Sequence, residues 1–133
     1  MIEILLALLI AFTGIARPVD PALTQLAETR AVEIQSDFNH HYLTELNNGK
    51  WSAWGEVIGW NRGMTDPAKS IAEGWRDSPS HHEILWNPAY SLIGCGMSIL
   101  DTTYYFVCIV AKPAAPVVQG DTPELLPDTA MAH

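Results

Sequence analysis

Residues 93–110 read IGCGMSILDTTYYFVCIV, and their pattern decides the fold. Ile93 to Leu100 and Thr103 to Val110 are runs rich in apolar, β-branched and aromatic residues, split by the polar pair Asp101-Thr102. Such a pattern predicts a β-hairpin. If the loop is those two residues, Leu100 opposes Thr103, and counting outward brings Cys95 opposite Cys108. With Leu100–Thr103 as a hydrogen-bonded pair, the cysteines fall at a non-hydrogen-bonded pair, where Cα atoms approach to about 4.5 Å. That is the short end of disulfide geometry. Two buried thiols are the alternative, since cysteine behaves as a small hydrophobe. Asp-Thr is not a favoured two-residue turn, so a slipped register is also open. A disulfide would point to an oxidising compartment.

Upstream of the hairpin, three dipeptides mark helix starts. Asp20-Pro21 and Asp66-Pro67 each place an N-cap acid before a proline at the first helical position, and Ser78-Pro79 does the same with a hydroxyl. After Asp20, an apolar stripe of Leu23, Leu26, Ala27, Arg30, Ala31, Ile34 and Phe38 predicts a helix to about His40. After Asp66, the stripe is Ala68, Ile71, Ala72 and Trp75. After Ser78, a short helix through His81, His82, Ile84 and Leu85 ends at Asn87-Pro88. Asn47-Asn48-Gly49 reads as a turn. Trp51 to Trp60 reads as an irregular strand and Asn61 to Thr65 as a loop.

The two ends differ from this middle. Ile2 to Phe12 is apolar apart from Glu3, and at that length it cannot span a bilayer, which takes about 20 residues. Two readings stand for residues 1–16. One is a signal peptide cleaved after Ala16, which would also allow membrane contact through residues 2–12. The other is a buried first helix. At the far end, residues 113–133 hold four prolines and several acids, and read as an extended tail with nothing to bury.

Composition sets the class. In 133 residues, 48% hydrophobic and 17% charged, one domain with a real core is expected. Nucleic acid is excluded as a main partner by the net charge of −8 and the scatter of seven Lys and Arg. Trp51, Trp54, Trp60 and Trp75 offer either core filling or a surface for carbohydrate stacking or lipid contact, and core is the commoner use.

Several segments in order resemble one family. Leu23–Ala31 (LTQLAETRA), Phe38-Asn39-His40, Gly55-Glu56-Val57-Ile58, Trp75 to His81 (WRDSPSH), Ile93-Gly94-Cys95-Gly96 and Tyr104 to Cys108 are similar to motifs of the CAP superfamily (cysteine-rich secretory, antigen 5 and pathogenesis-related 1 proteins). The compact bacterial or phage type is the nearest in pattern. The resemblance implies an α+β fold, a three-layer α-β-α sandwich with a central antiparallel sheet, here over residues 17–112. It implies pairing of Cys95 with Cys108, in agreement with the register. It also implies a cleft formed by His40, Glu56 and His81, with Ser78 beside them. Two departures are visible: Ser78 stands where eukaryotic relatives carry a second glutamate, and Val57 replaces the asparagine of Gly-Glu-Asn-Ile.

Two imidazoles and a carboxylate suit a divalent metal such as zinc, with His40 and His81 as ligands and Glu56 as base or outer partner. His81 falls in the first turn of its helix, where the positive helix end disfavours imidazolium. Ser78, as an N-cap, has its hydroxyl committed to backbone N–H groups rather than available as a nucleophile. The competing reading of the three residues is a hydrogen-bonded cluster that locks helices to sheet. His41 points to another helix face, towards solvent. Three functions follow: a secreted or surface-associated binding module for a lipid, a cell-envelope component or a protein; a metal-dependent hydrolase; or an assembly protein that presents its acidic tail. The first is preferred, because no nucleophile is evident.

Overall fold

The computed structural model describes residues 1–40, 49–114 and 129–132. The elements run α1 (Ile2–Thr13), α2 (Pro21–Glu33), β1 (Trp51–Arg62), α3 (Pro67–Asp77), α4 (Pro79–Leu85), β2 (Leu92–Leu100), β3 (Thr103–Pro113) and β4 (Thr129–Ala132). The sheet order is β2-β3-β1-β4, with three antiparallel strands and β4 joined parallel to β1.

The hairpin forms in the expected register: Leu100 opposes Thr103 and Cys95 opposes Cys108. The cysteines form a disulfide, with Cα atoms 4.1 Å apart. Asp101 resolves the turn problem by taking a left-handed φ of 56°, a conformation Asp tolerates better than most side chains.

Alternation along the strands builds two cores. Ala53 and Val57 of β1, with Cys95 and Ile93 of β2 and Phe106, Cys108 and Val110 of β3, face α1, α3 and α4. Trp54 and Ile58, with Val107, Ile109 and Ala111, face α2. The result is a sheet covered on both sides, an α+β sandwich as the motifs implied. On the α2 side the approach is close. A Cβ on Gly94 would lie 2.3 Å from the Leu23 carbonyl carbon, and one on Gly96 2.4 Å from the Glu28 nitrogen. The two glycines let the α2 backbone lie directly on β2.

The two Asp-Pro caps form as read: Asp20 accepts from the Leu23 N–H at 2.9 Å, and Asp66 from the Lys69 N–H at 3.2 Å. Ile2–Thr13 is a helix that sets Leu5 and Leu9 in the core and leaves Ile4 and Ile10 exposed. It ends at Gly14, whose φ of 72° lets its N–H reach Ile10 O. Among the described residues no helix is long and apolar enough to cross a membrane. The segment between α1 and α2 is held by Arg17. Its guanidinium donates to three backbone carbonyls, of Tyr90, Leu85 and Asn87, at 2.7–2.8 Å. Burial holds Arg17 below its ordinary pKa and raises the Tyr90 phenol, with Glu83 adding to the latter.

Three sequence expectations are corrected. α2 stops at Glu33 rather than near His40: Gln35 and Ser36 turn back by i→i+3 bonds to Val32 and Glu33, and Phe38 is left exposed. β1 is regular apart from one irregularity between Trp51 and Ala53, and runs on to Arg62, because Asn61 and Arg62 find ladder partners in Tyr104 and Thr103. The tail does not wholly lack burial. Residues 115–128 lie outside the described set, but Thr129–Ala132 pair with Trp54–Val57, and Ala132 is buried.

Candidate functional site

The centre of the site is Glu56, on the α2 side of the sheet because it alternates with Trp54 and Ile58. Its side chain is fully buried. A carboxylate removed from water needs donors, and three are supplied. Arg30 of α2, also fully buried, gives Nε to Oε2 at 2.8 Å and Nη2 to Oε1 at 3.1 Å. His40 Nδ1 meets Oε1 at 2.5 Å. Since an ionised carboxylate only accepts, the His40 Nδ1 carries the proton directed at Glu56. Arg30 Nη2 also donates to Asn39 O at 2.5 Å. That bond folds the chain back after α2 and sets His40 over Glu56.

Arg30 is the residue that sequence reasoning misses in this role. It stands in the apolar stripe of α2, and that is the signal: an arginine between Ala27 and Ala31 on a buried face needs a buried anion.

His81 belongs to the other helical layer. Its ring stacks on Trp75, with centroids 6.3 Å apart. Trp75 lies in the core cluster opposite α2 and donates Nε1–H to Ile58 O at 3.2 Å. His81 Nδ1 meets Ser78 Oγ at 2.8 Å. Ser78 keeps the N-cap position of α4, but its hydroxyl makes no bond to a backbone N–H. The expected capping hydroxyl is thereby corrected: the imidazole three residues on takes the oxygen in place of the backbone N–H groups. His41 lies outside the described residues.

The structure therefore joins His40 to Glu56 and His81 to Ser78. Of the three residues expected to form the cleft, Glu56 is closed to solvent. A hydrolytic zinc takes three protein donors and keeps a position for water. Among the described residues no three His, Cys, Asp or Glu side chains group in that way, and Glu56 already accepts from Arg30 twice and from His40. Among the described residues, then, the donors present do not make up a catalytic zinc site.

Comparison with known proteins agrees with the fold. The sequence pattern of the CAP family, described as "Cysteine-rich secretory protein family", matches residues 18–110. No curated protein is detectably similar in sequence. Among solved structures, an outer surface protein from Borrelia burgdorferi superposes with a TM-score of 0.70 at 19% identity, over 84% of this chain and 92% of that one. The venom allergen-like protein 4 of Schistosoma mansoni gives 0.67 at 13% identity, over 95% of each chain. A cysteine-rich secretory protein from Staphylococcus aureus gives 0.62 at 19% identity, over 81% of this chain and 38% of its own.

Proposed function

The chain belongs to the CAP family of cysteine-rich secretory proteins, and from that premise we propose that it acts outside the cell or at its surface as a binding module rather than as a hydrolase. Its ligand is a lipid, a cell-envelope component or a protein. One observation carries the reading: the Glu56 carboxylate is fully buried and its two oxygens accept from Arg30 and His40. A general base must reach a proton on substrate or water. Glu56, with its charge neutralised in place, instead ties α2 to β1 and fixes the His40 ring.

The Ser78–His81 contact does not alter this. It closes the first turn of a seven-residue helix, from N-cap to N3. Hydrolysis also needs an oriented base and donors aimed at the developing oxyanion. An extracellular or surface setting is supported by the Cys95–Cys108 disulfide, a bond that persists in oxidising compartments.

The test is to assay purified, disulfide-intact protein for binding and turnover in parallel. Saturable binding to vesicles, isolated envelope material or a defined ligand, with no release of product, is the expected result. Zinc-dependent hydrolysis of ester or peptide substrates, abolished by His40→Ala or His81→Ala in a folded variant, overturns it.

A further inference from the structure

Of the four tryptophans whose placement the sequence left open, Trp54 and Trp75 are buried in the two cores. Trp60 is not; it is 54% exposed. It lies on the α2 face of the sheet, two residues beyond Ile58, where α2 no longer covers the strands. Across the ladder it opposes Tyr105, which in turn opposes Ser98. Cross-strand partners share a face with Cβ atoms about 5 Å apart, so two aromatic side chains stand side by side on rigid strands. Tyr105 is half-buried against the α2-side core. Ser98 is tied down from both sides, accepting from Gln35 Nε2 and donating to Ala31 O.

The next residue on this face of β1 is Arg62. Its Nε donates to Thr103 Oγ1 at 2.8 Å, across the ladder. In a chain with 15 acidic and seven basic residues, Arg62 is not held by a carboxylate among the described residues. It is anchored on a hydroxyl instead, and the side chain is exposed. An aromatic pair and an oriented guanidinium fork thus share one open face.

We propose that Trp60, Tyr105 and Arg62 form a binding platform for a carboxylate-bearing saccharide of the uronic-acid type. This deepens the binding-module reading above and rests on it. The apolar C–H face of a pyranose stacks on an indole, which offers a large area at small conformational cost. A sugar carboxylate matches the two parallel N–H groups of a guanidinium. Charge selects against the other occupant such an apolar face admits, a membrane surface. Ile99 and Leu100 are exposed at the same end of the sheet, but Asp101 projects at the hairpin apex beside them, exposed. Seating this end in lipid would drag that carboxylate from water.

The test uses the full chain with oligogalacturonate as probe, its methyl ester as the carboxylate-masked control, and phosphatidylcholine vesicles for the membrane alternative. Binding is read by titration calorimetry and by tryptophan fluorescence. The acid oligomer is expected to bind saturably, about tenfold tighter than the ester, and to weaken as salt is raised. Trp60→Ala should abolish binding of both sugars, and Trp60→Phe should retain part of it. Arg62→Gln should bring the acid down to the ester and leave the ester unchanged. Both positions are exposed, and an unchanged far-UV spectrum and Tm establish that the variants fold. Equal binding of acid and ester, binding indifferent to Trp60→Ala, or vesicle binding lost in Trp60→Ala overturns the platform. So does the failure of both sugars to bind, which leaves the wider module reading to its own assay. Cleavage of a sugar bound through Trp60 would overturn the module reading and leave the platform standing.

Discussion

Replacing Glu56 by glutamine tests whether the Arg30–Glu56–His40 cluster is a lock. The native carboxylate accepts two bonds from Arg30, at 2.8 and 3.1 Å, and one from His40 at 2.5 Å. Glutamine has one acceptor oxygen, so its amide N–H₂ must face either a guanidinium or an imidazole N–H, donor against donor. Arg30 meanwhile stays charged and fully buried, with Glu33 Oε1, 3.9 Å from its Nη1, as its more distant carboxylate. Removing one partner of a buried pair costs about 3–5 kcal/mol. For a single domain whose total stability is about 5–15 kcal/mol, that is a large share. Equilibrium urea unfolding, followed by tryptophan fluorescence with the disulfide intact, should show it. With a slope of about 2 kcal/mol per molar, the midpoint should fall by about 2 M at unchanged slope. A second arm uses the double variant Arg30→Met, Glu56→Leu. Both charges are then gone, and the residual cost is that of Asn39 O and His40 Nδ1 losing partners, about 1–3 kcal/mol for each buried group. The double variant should therefore lose much less than the two single losses summed. A Glu56→Gln loss under about 1 kcal/mol, or strict additivity in the double variant, refutes the lock and the reading of the site built on it.

Gly96→Ala should cost about 1–3 kcal/mol or more in thermal or urea unfolding, because the new Cβ would sit 2.4 Å from backbone of α2, which cannot rotate away as a side chain would. Gly74→Ala, in the exposed middle of α3 with nothing within 4 Å of the new Cβ, should instead raise stability by about 0.5–1 kcal/mol. Replacing Cys95 and Cys108 together by alanine should lower stability by about 3 kcal/mol, the effect of opening a loop of this length. A change in Tm within error would show that the sheet holds its register without the bond.

Much of the fold was legible because its signals are local or periodic. Asp20-Pro21 and Asp66-Pro67 cap helices whatever lies around them, since the acceptor and the donors it satisfies are three residues apart. The pairing of Cys95 with Cys108 followed from counting along a ladder whose period is two. The family motifs, strung in order from Leu23 to Cys108, were enough to imply the sandwich.

What the chain by itself determined, then, is where helices and strands begin and which residues of the hairpin meet. What only the folded molecule decided is the fate of its polar and aromatic side chains. Arg30 meets Glu56 across 26 positions. The Ser78 hydroxyl leaves its backbone for His81. Trp54 and Trp75 are covered while Trp60 is not. β4 returns from the far end of the chain to the edge of β1. Each of these depends on desolvation by segments distant in sequence. Burial is set by what packs over a residue, and no local pattern of the residue's neighbours records that.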